Sequence, residues 1–328
     1  MLRLNTFVGL TVALVGLPAR AERAEKPNLL AKVSWQYSVD EGTIWSDEVP
    51  PLGKKGTTTV DVRGRFDIPA ATTGEYLALA TGLRHGQTGS YRLNGQPVPQ
   101  PLGDMIYRLI PGIPAGLLRR GANVLEAKVA YEVGMAGGRP LSVPTALRFQ
   151  RDADLKIQSG PVLGAFGRDF FTVTCRTNMP AAVELRVTQI VDSHKRVGQT
   201  AVLAKSPKGI FHRFRVKPPG TIAAHTGYAL VARSGERTVS ESLSAPSLPT
   251  KGLRFVVAGD NRGYPRTWAR VAGAIGKHRP HFVVHTGDML NSGRRDYQWD
   301  QQFFHPARRL LAAGSASSDS ARKTSICL

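Results

Sequence analysis

The chain is 328 residues long, 41% hydrophobic by composition, and carries a formal net charge of +20. That length accommodates two or three domains with cores of their own, and the apolar content excludes a disordered chain. So large a positive charge favours phosphates, acidic polysaccharide or an anionic surface as partners. Zinc-finger spacing, basic heptads and aromatic-basic RNA signatures are missing, so specific nucleic-acid binding is not expected; the cations are spread along the chain as a solvated basic surface.

The opening residues, MLRLNTFVGLTVALVGLPARA, pair a basic start at Arg3 with an apolar stretch from Phe7 to Leu17 and small residues at Ala19 and Ala21. This is the pattern of a signal peptide over residues 1–21. The apolar stretch is short for a bilayer span. A secreted or periplasmic location is expected, with no transmembrane segment in the mature chain. Export permits disulfides, but only Cys175 and Cys327 are present. Cys175, within the strand-like FFTVTCRT, reads as a buried free thiol.

Residues 27–150 show short alternating stretches broken by turn chemistry. TTTVDVRGRFDIP alternates at period two, and SYRLNGQPV sets an Asn-Gly turn between extended segments, a hairpin signal. GLLRRGANVLEAKVAYE gives a helical turn, a glycine stop and a strand over Val124–Tyr131. The spacing predicts an antiparallel β-sandwich. The pairing of YRLNGQPV with IPAGLLRRGANVLEAKV resembles galactose-binding-like jelly-roll modules. Such modules bind sugar in some proteins and are packing partners in others. With no aromatic platform identifiable, the structural role is favoured and the sugar-binding one stays open.

A second sandwich is expected over residues 155–249. GPVLGAFGRDFFTVTCRTNMPAAVELRV reads as a strand through Phe171, Val173 and Cys175, a polar turn, and a partner strand through Val183–Val187. FHRFRVKPPGTIAAHTGYALVARSGERTV then gives three strands separated by Pro-Gly and Ser-Gly turns. The segments GPVLGAF, FTVTCRTN and FHRFRV resemble the fibronectin-like N-terminal domain of purple acid phosphatases, with Cys175 where that family often has Trp. The Ser/Pro-rich Ser242–Thr250 reads as a linker.

The period changes over residues 251–313. Leu253–Ala258 and His281–Thr286 are apolar, β-rich runs of the kind covered on both faces. Between them Pro265–Lys277 sets Trp268, Val271 and Ile275 on one helical stripe with Pro at its start. A further helix, interrupted near Pro306, follows over Tyr297–Ala313. The order β-α-β-α predicts parallel strands joined by a crossover, with Asp260 and Asp288 at the carboxyl ends where ligands gather.

GDNR at 259–262 and GDMLNSG at 287–293 resemble the first two signatures of the calcineurin-like metallophosphoesterases. With the fibronectin-like domain before them, they point to the purple-acid-phosphatase-like group. The expected fold class is multidomain: two antiparallel β-sandwiches followed by an incomplete α/β metallophosphoesterase domain. The resemblance implies hydrolysis of a phosphate-ester substrate at a dinuclear site of Fe, Mn or Zn. It would make Asp260 a ligand of the first metal and Asp288 the bridge, with Arg262 catalytic and Asn261, Arg262 and Asn291 lining the substrate pocket. Departures are evident. Arg262 stands where many members have a ligand His, and Asn291 where purple acid phosphatases have the tyrosinate ligand. The third signature, Gly-Asn-His-Asp/Glu, is missing, and none of the eight histidines stands in a ligand context. Residues 314–328 lose apolar period and read as a disordered tail, as in a truncated or frameshifted product. Little or no phosphatase activity is expected. The alternative reading is a non-catalytic exported protein whose sandwiches bind carbohydrate or an acidic surface.

Overall fold

The computed structural model describes residues 27–50, 59–68, 74–84, 87–102, 105–131, 141–166, 170–189, 200–217, 226–244, 252–278, 280–311 and 325–327. The expected signal peptide, most of the expected linker and residues 314–324 of the tail lie outside these.

The first unit comprises β1 (Trp35–Ser38), β2 (Thr59–Asp67), β3 (Tyr76–Ala80), β4 (Gln87–Leu93), β5 (Gln96–Pro97), β6 (Leu109–Pro114), β7 (Ala122–Tyr131) and β8 (Ala146–Gln150). They form a five-stranded sheet, β1-β2-β7-β4-β5, and a three-stranded sheet, β6-β3-β8, with every ladder antiparallel. Alternation puts one face of each sheet into a shared core. Val60, Val62, Leu93 and Leu125 come from the first sheet, and Leu77, Leu79, Ile110 and Leu147 from the second. The Asn-Gly hairpin forms as expected between β4 and β5. Asn94 and Gly95 take φ of 53° and 78°, the left-handed pair that a type I′ turn requires.

The second unit comprises β9 (Ile157–Phe166), β10 (Phe171–Gln189), β11 (Thr200–Val216), β12 (Thr226–Ser234) and β13 (Arg237–Ser244). The polar turn expected inside TCRTNMPAA is instead a break in register within one long strand, between Arg176 and Ala181. Before the break β10 pairs with β9; after it, with β12. A bulged strand can serve two layers in this way. Asn178, the turn-forming residue, spends its side chain on the neighbouring segment, accepting from Lys156 N–H at 2.8 Å and donating to Asp154 C=O at 2.9 Å. Cys175 lies in this core, 6% exposed, and burial pushes its thiol up to about 12. Thiolate is the reactive form, so a Cys327→Ser chain should show almost no labelling by a neutral-pH thiol reagent until denaturant is added. Rapid labelling of the native chain would contradict the burial.

The third unit comprises β14 (Phe255–Ala258), α1 (Pro265–Lys277), β15 (Phe282–His285), α2 (Asp296–Gln298), a π-helical stretch over Trp299–Phe304, α3 (His305–Leu311) and β16 (Ser325–Cys327). β14 pairs with β15 in parallel, as the β-α-β order predicts, and β16 adds to β15, within the stretch whose composition suggests disorder. Among the described residues, only one face of the sheet is covered. Val256 and Ala258 pack toward Trp268, Phe303 and Leu310, whereas Phe255 and Val257 remain 52% and 57% exposed. The expectation of strands buried on both faces therefore fails for β14. The result is a small parallel sheet with helices on one side, which gives no support to the incomplete α/β metallophosphoesterase domain expected from the sequence. Among the described residues no helix is long and apolar enough to cross a membrane.

Candidate functional site

The backbone brings the two Gly-Asp turns together. Asp260 N–H donates to Gly287 C=O at 3.1 Å, and Arg262 N–H to Asp288 C=O at 2.9 Å. Both aspartates adopt left-handed backbone, with φ of 54° and 52°, a conformation Asp tolerates better than most residues. The cation between their carboxylates is Arg262. Its Nε lies 3.8 Å from Asp260 and its Nη2 3.4 Å from Asp288, with the aspartate side chains 80% and 53% exposed. Asn261 donates from Nδ2 to Met289 C=O at 3.2 Å. Asn291 stands at the rim, its N–H donating to Gln302 Oε1 at 3.2 Å.

His285, the nearest additional ligand type, is committed elsewhere. Gly287 N–H donates to its Nδ1 at 3.2 Å, which leaves the proton on Nε2 for Asn261 Oδ1 at 2.7 Å. Burial lowers its pKa, so the ring stays neutral with both nitrogens engaged. Among the described residues no three His, Cys, Asp or Glu side chains converge. This donor set does not fit the paired metal ions that the motifs suggested: two exposed carboxylates already share a guanidinium, and a guanidinium cannot act as a ligand.

Two other concave sites form where the three units meet. The junction is stitched by backbone bonds from Ile106 N–H to Arg294 C=O at 2.6 Å and from Asp296 N–H to Ile106 C=O at 3.1 Å. The larger site is an open groove of about 1070 Å³ between the outer face of β3 and β8 and the start of the second unit. The alternation in YLALA explains its floor. Leu77 and Leu79 turn into the core, and the short Ala78 and Ala80 leave room outside. Arg148, Arg151, Lys156 and His305 line it along with Asp154, Asp300 and Gln301.

The second site is a cavity of about 380 Å³ lined by parts of all three units. Arg176 and Asp296 form a bidentate pair beside it, with contacts of 2.5 and 3.0 Å, and Asp300 lies 3.7 Å from the same guanidinium. Burial raises the pKa of Asp296, and Arg176 offsets part of that rise. Asp300 sits on the π-helical stretch, a geometry that recurs at functional sites. Neither site was apparent in the sequence. Their lining residues are scattered from Ala78 to His305, with no motif or spacing that would gather them.

No protein-family model matches the chain, and no curated protein does. Similarity is found with solved structures of glycosidases. A calcium-binding mutant of Bacteroides uniformis beta-glucuronidase 2 is 13% identical with a TM-score of 0.32, over 80% of this chain and 39% of that one. The FMN-binding beta-glucuronidase from Facaelibacterium prausnitzii is 13% identical with a TM-score of 0.28, over 82% and 50%. A beta-D-mannosidase from Dictyoglomus thermophilum is 11% identical with a TM-score of 0.31, over 82% and 45%. The chain thus spans half or less of each. A likeness this weak carries no argument about activity. The resemblance to calcineurin-like metallophosphoesterases and purple acid phosphatases is overturned on other grounds. No family model matches the chain, and the ligand cluster such an enzyme needs does not assemble among the described residues. Phosphate-ester hydrolysis falls with it, as does the basis for the metal, catalytic and substrate roles of Asp260, Asn261, Arg262, Asp288 and Asn291.

Proposed function

We propose that the chain is an exported, non-catalytic β-sandwich protein that binds acidic polysaccharide in the groove beside β3 and β8. The observation that carries this reading is the lining: Arg148, Arg151 and Lys156 beside a floor of small side chains, open to solvent. A guanidinium matches a uronate carboxylate in two-point geometry, and a lysine supplies a mobile point charge. Asp154 and Gln301 offer an acceptor and an amide for sugar hydroxyls. The net charge of +20 adds long-range attraction to a polyanion.

Polygalacturonate should bind the full chain, with affinity that falls as salt rises. Arg151→Ala combined with Lys156→Ala should weaken binding tenfold or more, since a hydrogen bond to a charged group contributes roughly 1.5–3 kcal/mol. Neutral dextran should bind far more weakly. Equal binding of dextran and polygalacturonate, or an unchanged affinity in the double variant, would remove the proposal.

A further inference from the structure

We infer that the groove beside β3 and β8 is the middle of a longer track that takes the interior of a linear polyuronate and not its end; this rests on the reading of the groove as a polysaccharide site. Two smaller concavities adjoin the groove. One, of about 400 Å³, shares Ala80 with it, and the other, of about 350 Å³, shares Gln158 and His305. The sheet register sets their order. Leu109, Ala80 and Ala146 are partners in one row across β6, β3 and β8, and all three line the groove. Arg108 and Thr145, the chain neighbours of Leu109 and Ala146, line the first concavity. From Thr145 a single stretch of chain follows the whole path. It lines the groove at Ala146, Arg148, Arg151, Lys156 and Gln158, and the second concavity from Ile157 to Pro161. Both ends of the groove therefore open onto a further concavity, so a bound chain can continue in either direction.

Each section carries cations of its own. Arg84 and Arg108 stand at one end, Arg148, Arg151 and Lys156 in the middle, and Arg308 and Arg309 at the other end. The four arginines of the two ends are exposed. Arg108 lies over the Tyr297 ring at 3.8 Å, which holds the guanidinium plane in place and leaves its edge donors for an anion. Carboxylates are fewer. Asp154 lines the groove and Glu241 the Arg308 end, while Asp300 is occupied, accepting from Gln158 at 2.5 Å. A compact anion meets one cluster and leaves the others to water. A chain with a carboxylate on every sugar reaches all three, and contacts joined in one molecule reinforce one another. Among the described residues the aromatic side chains along the track, Phe149 and Phe304, are buried and half-buried, so they give no platform for stacked nucleic-acid bases.

Oligogalacturonates of three and twelve sugars, titrated into the full chain by calorimetry, test the track. The longer one should bind about a hundredfold or more tightly, well beyond the roughly tenfold that its extra registers supply alone. Arg308→Ala with Arg309→Ala, and separately Arg84→Ala with Arg108→Ala, should each weaken the longer oligomer about tenfold or more while leaving the shorter within about twofold. These are exposed positions, so circular dichroism should show the fold unchanged. Arg151→Ala with Lys156→Ala should weaken both oligomers, since both occupy the groove. If that variant weakens both, yet the longer oligomer has no advantage or is unaffected by the outer variants, the groove stands and the track is overturned. If neither oligomer binds, the groove reading falls and the track with it. Tighter binding of a single-stranded DNA of the same charge than of the longer oligomer would overturn the choice of ligand.

Discussion

Asp296→Ala should lower the stability of the folded chain by about 3–5 kcal/mol, the usual consequence of removing one partner of a buried ion pair. Arg176 and Asp296 are 7% and 6% exposed and meet in two-point geometry. Truncating the aspartate leaves a buried guanidinium with Asp300 as its remaining carboxylate, 3.7 Å from Nη1. The pair also joins two units, Arg176 from β10 and Asp296 from α2. Its loss should therefore loosen the third unit from the second. Urea denaturation measures the effect. Replacing both partners, Arg176→Met with Asp296→Leu, should recover most of it, because neither charge is then stranded. A loss below about 1 kcal/mol in the single variant would show that water solvates the site.

The same pair predicts an unusual pH response. Burial raises the carboxyl pKa of Asp296 and Arg176 opposes that rise. In Arg176→Met nothing opposes it, and the folded pKa climbs further. A carboxyl whose folded pKa exceeds its unfolded value destabilises the fold above the folded pKa, and that penalty disappears as pH falls below the unfolded value near 3.9. The stability gap between Arg176→Met and the parent chain should thus narrow as pH falls from about 7 toward about 4. An ordinary surface salt bridge, whose carboxyl pKa is depressed, keeps its stabilisation over that range and loses it only below the unfolded value. A gap independent of pH would mean that Asp296 stays ionised throughout.

The elements that were legible in the sequence are those dictated by local chemistry. The Asn94-Gly95 turn requires two left-handed residues in a row and few other pairs supply them. Period-two alternation placed Val60, Val62 and Phe66 on the core side of β2. The order of apolar runs around Pro265–Lys277 was enough for the parallel pairing of β14 with β15. Long-range pairing was not legible. TCRTNMPAA has turn-forming residues, yet β10 runs through them because β9 and β12 take up its two halves. The Gly-Asp motifs suggested a metal site because two carboxylates at strand ends are compatible with one. Whether Arg262 would sit between them, and whether His285 would keep a free nitrogen, depends on side-chain directions that spacing does not encode. The groove and the cavity draw on residues more than a hundred positions apart, and no local pattern could have joined them.

Trp268→Ala should cost about 3–5 kcal/mol, with the loss centred on the third unit. The indole is 1% exposed, stacks on Phe303 at 5.6 Å, meets His285 edge-on at 5.5 Å, and donates from Nε1 to Phe303 C=O at 3.2 Å. It ties α1 both to the π-helical stretch and to β15. Among the described residues only one face of that sheet is covered, and its core has few other large side chains to take over. Hydrogen exchange should lose protection across Pro265–Lys277 and Phe282–His285 while β2 and β7 keep theirs, because Trp268 belongs to a different core from theirs. Val271 supplies the contrast. The sequence puts it on one stripe with Trp268 and Ile275, but α1 is rotated so that Ala272 is buried instead and Val271 is 40% exposed. Val271→Ala should therefore shift stability by no more than about 0.5 kcal/mol. If the two substitutions cost the same, the packed face of α1 is the one drawn from the sequence stripe and not the one that buries Ala272.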